Sequence, residues 1–196
     1  AFNSAGASLD VASNRLSALS GISSGDNQLK LKSIWGQVFG SKISQGNTAA
    51  SEGYSANSRG LAFGADKEIS QNSYLGLSFS YANSSVKSRS ALKQTSINSY
   101  QLNLYNGNNY DEFFINNFVG FVWNDYNSNR SIPVVASNAG AKYSGQTYIA
   151  RSEIGTTKKL ENNFTFTPSF MITAAHNSVD DYSEYGLGRS CGGMVV

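Results

Sequence analysis

Charge is scarce in this chain: Asp, Glu, Lys and Arg make up only 14% of 196 residues, where a soluble domain carries about 25%. The hydrophobic share, 40%, is also low, so no larger core offsets the missing charge. No apolar run reaches the ~18 residues of a membrane helix, which leaves a barrel of strands as the only way across a bilayer. The one cysteine, Cys191, excludes an internal disulfide and lacks companions for a metal site, so stability must come from strand pairing. A single histidine, His176, excludes His-based metal clusters. It reads as a rim residue near a strand end: no Cys is near it, and Asp180 and Asp181 fall in the following loop. There is no G-x-S-x-G elbow and no phosphate loop. The expectation is a protein with no catalytic residues, no cofactor and no metal. The net charge is +2 with acids and bases interspersed, which predicts neither nucleic acid nor anionic lipid as a ligand. The first residues show no basic stretch followed by an apolar one, so a secretory signal is expected to have been removed, or the chain to be an internal fragment.

What fills the gap is Gly (19), Tyr (11), Phe (11) and many Ser and Asn, a mixture that suits alternating strands. Residues 1–22 stand apart. Leu9, Ala12, Leu16 and Leu19 recur at helical spacing, with Ser4 or Ser8 as a start and Gly21 as a stop. So polar a helix would not float in lipid, but its small residues would let it sit inside a narrow polar tube. The alternatives are a surface helix or a disordered N-terminus.

Between Tyr54 and Glu184 the chain repeats segments of apolar and small polar residues on opposite parities, after a first strand with apolar residues on both sides. The first strand is Ile34 to Gly40, with Ile34 and Val38 on one side and Gln37 on the other, and Ser41 to Glu52 is a loop. Tyr54 to Ile69 sets Leu61, Phe63 and Ala65 against Ser58, Gly60, Ala62, Gly64 and Asp66. The third strand alternates most cleanly, with Leu75, Leu77, Phe79 and Tyr81 against Gly76, Ser78 and Ser80. A polar loop, Asn83 to Gln94, precedes a fourth strand with Tyr100, Leu102 and Leu104 against Ser99, Gln101 and Asn103. Asn106 to Asn109 carries hairpin chemistry. The fifth strand, Glu112 to Tyr126, points Ile115, Val119, Phe121 and Trp123 one way and Asn116, Phe118, Gly120 and Asn124 the other. After a long loop, Asn127 to Lys142, the sixth strand (Tyr143 to Thr157) places Tyr148, Ala150 and Ile154 opposite Thr147, Arg151, Glu153 and Gly155. Arg151 and Glu153 are spaced to pair. Lys158 to Asn163 turns the chain into a seventh strand, Phe164 to Asn177.

The apolar rows need either lipid or a second sheet. Three connections look short (near Gln71, Gly107 and Glu161) and three long (near Asn47, Ser88 and Asn138), the asymmetry of an outer-membrane barrel. Trp35, Trp123, Tyr105, Tyr110 and Tyr126 fall near strand ends, where interfacial belts form. Seven strands is an odd count for a single-chain bacterial barrel. The predicted fold class is therefore all-β: an antiparallel meander of a transmembrane β-barrel, about seven strands and incomplete, preceded by an N-terminal helix. A porin or adhesin barrel and a soluble secreted β-sandwich binding module are the competing readings.

Asn14-Arg15-Leu16-Ser17-Ala18-Leu19, Trp35-Gly36-Gln37-Val38-Phe39-Gly40, Gly60-Leu61-Ala62-Phe63-Gly64-Ala65-Asp66, Ser99-Tyr100-Gln101-Leu102-Asn103-Leu104-Tyr105, Glu153-Ile154-Gly155 and Phe166-Thr167-Pro168-Ser169-Phe170 occur in that order. The series resembles the autotransporter translocator of type V secretion, over roughly residues 10–186. The resemblance implies a twelve-stranded outer-membrane barrel, its pore threaded by the helix, with an upstream passenger carried to the cell surface. Its partners would be outer-membrane lipid, its own passenger and the barrel-assembly machinery, and no nucleic acid. Residues 1–22 would be the linker helix and 23–186 a partial barrel. The tail, 187–196, lacks alternation and a closing aromatic, and is read as a truncation or a shifted frame. The plug contacts would be Asn14, Arg15, Asp66, Arg151 and Glu153, with Arg151 or Arg15 as the charge partner of Glu153. The lipid-facing residues would be Leu75, Leu77, Phe79, Tyr81, Leu102 and Leu104. Some family members cut their own linker at an asparagine. Asn3 and Asn14 are available here, and cleavage is assigned to neither.

Overall fold

The computed structural model describes residues 2–19, 34–48, 52–90, 92–133, 137–159 and 165–186. Helix α1 (Phe2–Leu19) is followed by β1 (Ile34–Gln45), β2 (Tyr54–Ser70), β3 (Ser73–Ser88), β4 (Lys93–Asn109), β5 (Phe114–Ile132) and β6 (Ser137–Gly155). Two short strands, β7 (Lys158–Lys159) and β8 (Thr165–Phe166), pair with each other before β9 (Ser169–Val179). The main sheet has seven strands in the order β1-β2-β3-β4-β5-β6-β9, every neighbour antiparallel and consecutive in the meander. Its end strands, β1 and β9, are not paired to one another.

The strands are longer than sequence patterning predicts. The expected loops Asn83 to Gln94 and Asn127 to Lys142 are mostly strand: β3 and β4 stay paired out to Lys87 and Gln94, and β5 and β6 out to Ile132 and Ser137. Both stretches are rich in Ser and Asn on both parities, so no apolar alternation betrays them, although backbone pairing needs none. Likewise β1 runs through Ser41 to Gln45, and Asn106 to Asn109 is the end of β4 rather than a turn. The connection after β6 covers 156–168, and β9 starts at Ser169. The predicted alternation of loop lengths therefore gives way to an asymmetry of strand extension. At one end two hairpins project, and at the other β2 turns tightly into β3 at Gln71 and Asn72, with Asn72 at φ 62, a left-handed conformation that Asn tolerates. At the projecting end, Glu52 accepts the Ser90 amide at 2.7 Å.

One face of the sheet carries α1, and the other is bare. Cross-strand partners share a face, and on the bare face the register lines them into rows. Ala65, Leu77, Leu104, Val119 and Ala150 form one row; Phe63, Phe79, Leu102, Phe121 and Tyr148 the next; Leu61, Tyr81, Tyr100 and Trp123 the third. One row further toward the projecting hairpins the face turns polar: Arg59, Asn83, Asn98, Asp125 and Ser144. No described element covers the apolar rows. Phe63, Leu77 and Leu104 are more than half exposed, so the second sheet that a soluble sandwich would lay over them is not among the described residues. His176 partners Tyr148 within the middle row, rather than sitting at a rim as predicted.

Candidate functional site: the helix seated on the sheet

Helix α1 lies against β1 to β5 and buries a broad stripe: Ala5, Ser8, Leu9, Val11, Ala12, Arg15 and Leu16. The helix is already formed at Phe2, upstream of the starts expected at Ser4 or Ser8. Close approach at the N-terminal half of the helix is possible because small residues meet there, Ala5 and Ser8 on α1 and Ser78 and Ser80 on β3. Ser8 and Ser80 hydroxyls meet at 2.7 Å. Asn103 donates to Ser8 at 3.3 Å and to Ser78 at 3.2 Å, and Gln101 donates to the Ala5 carbonyl at 3.4 Å. A Cβ on Gly107 would lie 2.8 Å from Leu16 Cδ2, so a larger residue there would force the Leu16 side chain to shift.

The electrostatic centre is at the C-terminal end of the helix, beside Leu16. Arg15 donates through Nε and Nη2 to both oxygens of Asp66, at 2.8 and 3.0 Å, and both side chains are almost fully buried. This is the planar two-point match that a guanidinium makes with a carboxylate. Tyr105 Oη donates to Asp66 Oδ2 at 3.1 Å and accepts from Trp35 Nε1 at 2.8 Å. Asp66, Gly76 and Tyr105 are consecutive in one cross-strand row. The Tyr105 ring therefore has to cross Gly76 to reach Asp66, and a Cβ on Gly76 would stand 2.2 Å from Tyr105 Cζ. The Trp35 ring crosses Gly64 in the same way, 2.4 Å from where its Cβ would be. Trp35 and Tyr105, predicted as belt aromatics, are each 1% exposed beneath the helix. Periodicity misassigned them because strand ends near a turn look alike on both faces. Tyr126 is also on the helix-bearing face, stacked on Tyr143 at 4.7 Å. Trp123 and Tyr110 are exposed, Tyr110 stacking on Phe113 at 4.6 Å.

The remaining charged groups pair differently from the expectation. Arg151 bonds Asp10 at 2.6 Å and Thr173 at 3.1 Å, not Glu153. Side chains two apart on a strand share a face but reach outward in parallel, so helix Asp10 offers Arg151 the better geometry. Glu153 accepts from Ser13 at 3.1 Å and from Asn116 at 3.4 Å. Thus Arg15, Asp66, Arg151 and Glu153 all meet or support α1. Asn14 does not: it lies on the exposed stripe, about half a helical turn away from Ala5 and Leu16. Among the described residues no group of His, Cys, Asp and Glu could hold a metal ion.

A meander that is greasy on its free face, and that under a seated helix sets Asp66, Ser80, Gln101 and Asn103 beside Trp35, Tyr105 and Phe118, has the two-faced character of a membrane-spanning β-barrel wall. The comparisons specify which one. The autotransporter beta-domain family model matches residues 34–193. The translocator domain of autotransporter NalP from Neisseria meningitidis superposes with a TM-score of 0.68 at 15% identity, over 95% of this chain and 63% of that one. The chain thus spans under two thirds of that translocator. A search of curated proteins finds no match. The chain belongs to the autotransporter beta-domain family, the outer-membrane translocators of type V secretion.

Proposed function

We propose that this domain keeps α1 in its lumen as a resident plug and tether, and that the chain upstream of α1 is the passenger it exports to the cell surface. The division into helix (1–22), barrel wall (23–186) and tail (187–196) belongs to this reading; the tail lies outside the described residues. So do the linked passenger and the barrel-assembly machinery as partners. The observation that carries it is the bidentate Arg15–Asp66 pair, buried between helix and sheet. A surface helix has no use for a desolvated charge pair, which stabilises only when its geometry is fully satisfied. The direction of α1 supports the export route. Ala5 and Ser8 bond to Gln101 and Ser80 in mid-sheet, while Arg15 and Leu16 reach Asp66 and Gly107 near the β2–β3 and β4–β5 turns. The N-terminal end of α1 therefore points toward the projecting hairpins, and the passenger leaves by that mouth.

The test is a disulfide. Ser8→Cys with Ser80→Cys, in full-length protein lacking Cys191, should cross-link nearly quantitatively on mild oxidation, because the two hydroxyls are 2.7 Å apart. A chain that stays uncross-linked after assembly would show that α1 does not reside there.

The rows of Leu75, Leu77, Phe79, Tyr81, Leu102 and Leu104 are assigned to lipid in the same proposal. Leu77→Arg, in one of the two inner rows of that set, should cost about 2–4 kcal/mol, as charges do at the bilayer midplane. Ser85→Arg, beyond the polar boundary, should cost less than about 1 kcal/mol. Equal urea midpoints for the two variants in vesicles would remove the assignment.

A further inference from the structure

The bare face beyond the Tyr81–Tyr100–Trp123 row collects cations that the sequence scatters. On β1, β2 and β3 its residues are Gly40, Lys42 and Ser44; Arg59, Asn57 and Ser55; and Asn83, Ser85 and Lys87, placed by the register Gly40–Arg59–Asn83, Lys42–Asn57–Ser85 and Ser44–Ser55–Lys87. Three adjacent strands thus present Lys42, Arg59 and Lys87 in three successive rows, with two amides and three hydroxyls between them and no carboxylate. None of the three cations is in an ion pair among the described residues. Further along the same rows Lys142 stands near Asp125, and Asp180 follows across from Ser144, so the single-sign character is confined to β1 to β3.

We infer that this patch binds the phosphate-bearing sugar headgroup of an outer-leaflet glycolipid. The inference rests on the lipid assignment of the apolar rows. A lipid whose chains pack on Leu61, Phe63 and Phe79 places its headgroup one row above, where these side chains begin. Phosphates meet Lys42, Arg59 and Lys87, with Arg59 supplying a planar donor pair. Sugar hydroxyls meet Asn57, Asn83 and the serines, which both donate and accept. The aromatic row below suits the interface between chains and headgroups.

The experiment uses full-length protein in nanodiscs of phosphatidylcholine containing diphosphorylated lipid A. Native mass spectrometry counts the lipid A that stays bound. The triple variant Lys42→Gln, Arg59→Gln, Lys87→Gln should weaken retention on the order of 10- to 100-fold, and Lys67→Gln, at the opposite end of β2, should leave it unchanged. Wild-type protein should lose the same retention when the lipid A carries no phosphate, a measurement that needs no variant to fold. Unchanged retention in the triple variant overturns the inference, as does equal displacement by phosphatidylglycerol or by a sulfated polysaccharide. If Leu77→Arg proved harmless the lipid assignment itself would fall. Failure of the triple variant alone leaves that assignment standing.

Discussion

Gly76→Val is expected to abolish assembly of the domain. The Tyr105 ring occupies the space above Gly76, with a Cβ position only 2.2 Å from Cζ, and the ring has nowhere to go. Its hydroxyl is tied to Trp35 and Asp66, and its body lies between Trp35 and Phe118, with ring centroids at 6.5 and 6.3 Å. Overpacking by a single methyl in a tight core costs about 1–3 kcal/mol, so Gly76→Ala should lower stability measurably. The β-branched valine adds two further carbons and should leave no folded form. The measurement is the heat-modifiable mobility of the full-length protein on gels, where the folded barrel runs apart from the unfolded chain. Tyr105→Ala in the Gly76→Val background should restore part of the folded band. Wild-type folding of Gly76→Val alone would mean that Tyr105 does not lie across the sheet.

Arg15→Met is expected to loosen α1 by about 3–5 kcal/mol, the usual cost of leaving one member of a buried ion pair behind. Read as amide exchange over residues 5–19, that is roughly 150- to 5000-fold faster opening of the helix. Arg15→Met with Asp66→Leu should recover most of the loss, because neither charge is then stranded. Asp10→Asn makes the contrast. Asp10 pairs with Arg151 but its side chain is 63% exposed, and Arg151, although buried, keeps its bond to Thr173, so the loss of Asp10 should cost less than the loss of Arg15. Exchange that is equally fast in the Arg15 single variant and the wild type would show that the pair does not hold the helix.

These two expectations come from different levels of the chain. The parity of Leu75, Leu77, Phe79 and Tyr81 is local: a strand sends alternate side chains to opposite faces whatever surrounds it, so one glance along the residues separates the two surfaces. The same holds for the spacing of Leu9, Ala12 and Leu16, which marks the buried side of α1. Strand length was not legible where both parities are polar, as at Asn83 to Ser88 and Lys93 to Asn98, because backbone hydrogen bonds leave no trace in side-chain pattern. Nor was the place of Trp35 and Tyr105. A tyrosine near a strand end suits an interfacial belt until the register puts Gly76 beside it and Asp66 beyond.

By itself, the chain's alternation determined that this protein is a meander with one greasy and one polar surface, fronted by a small-residue helix, because period 2 and period 3.6 are properties of neighbouring residues. Only the tertiary structure decided which residues share a row. Register joins positions far apart in the chain, so Arg15 finds Asp66 rather than Glu153, Arg151 finds Asp10, and Lys42, Arg59 and Lys87 come to stand together on one surface.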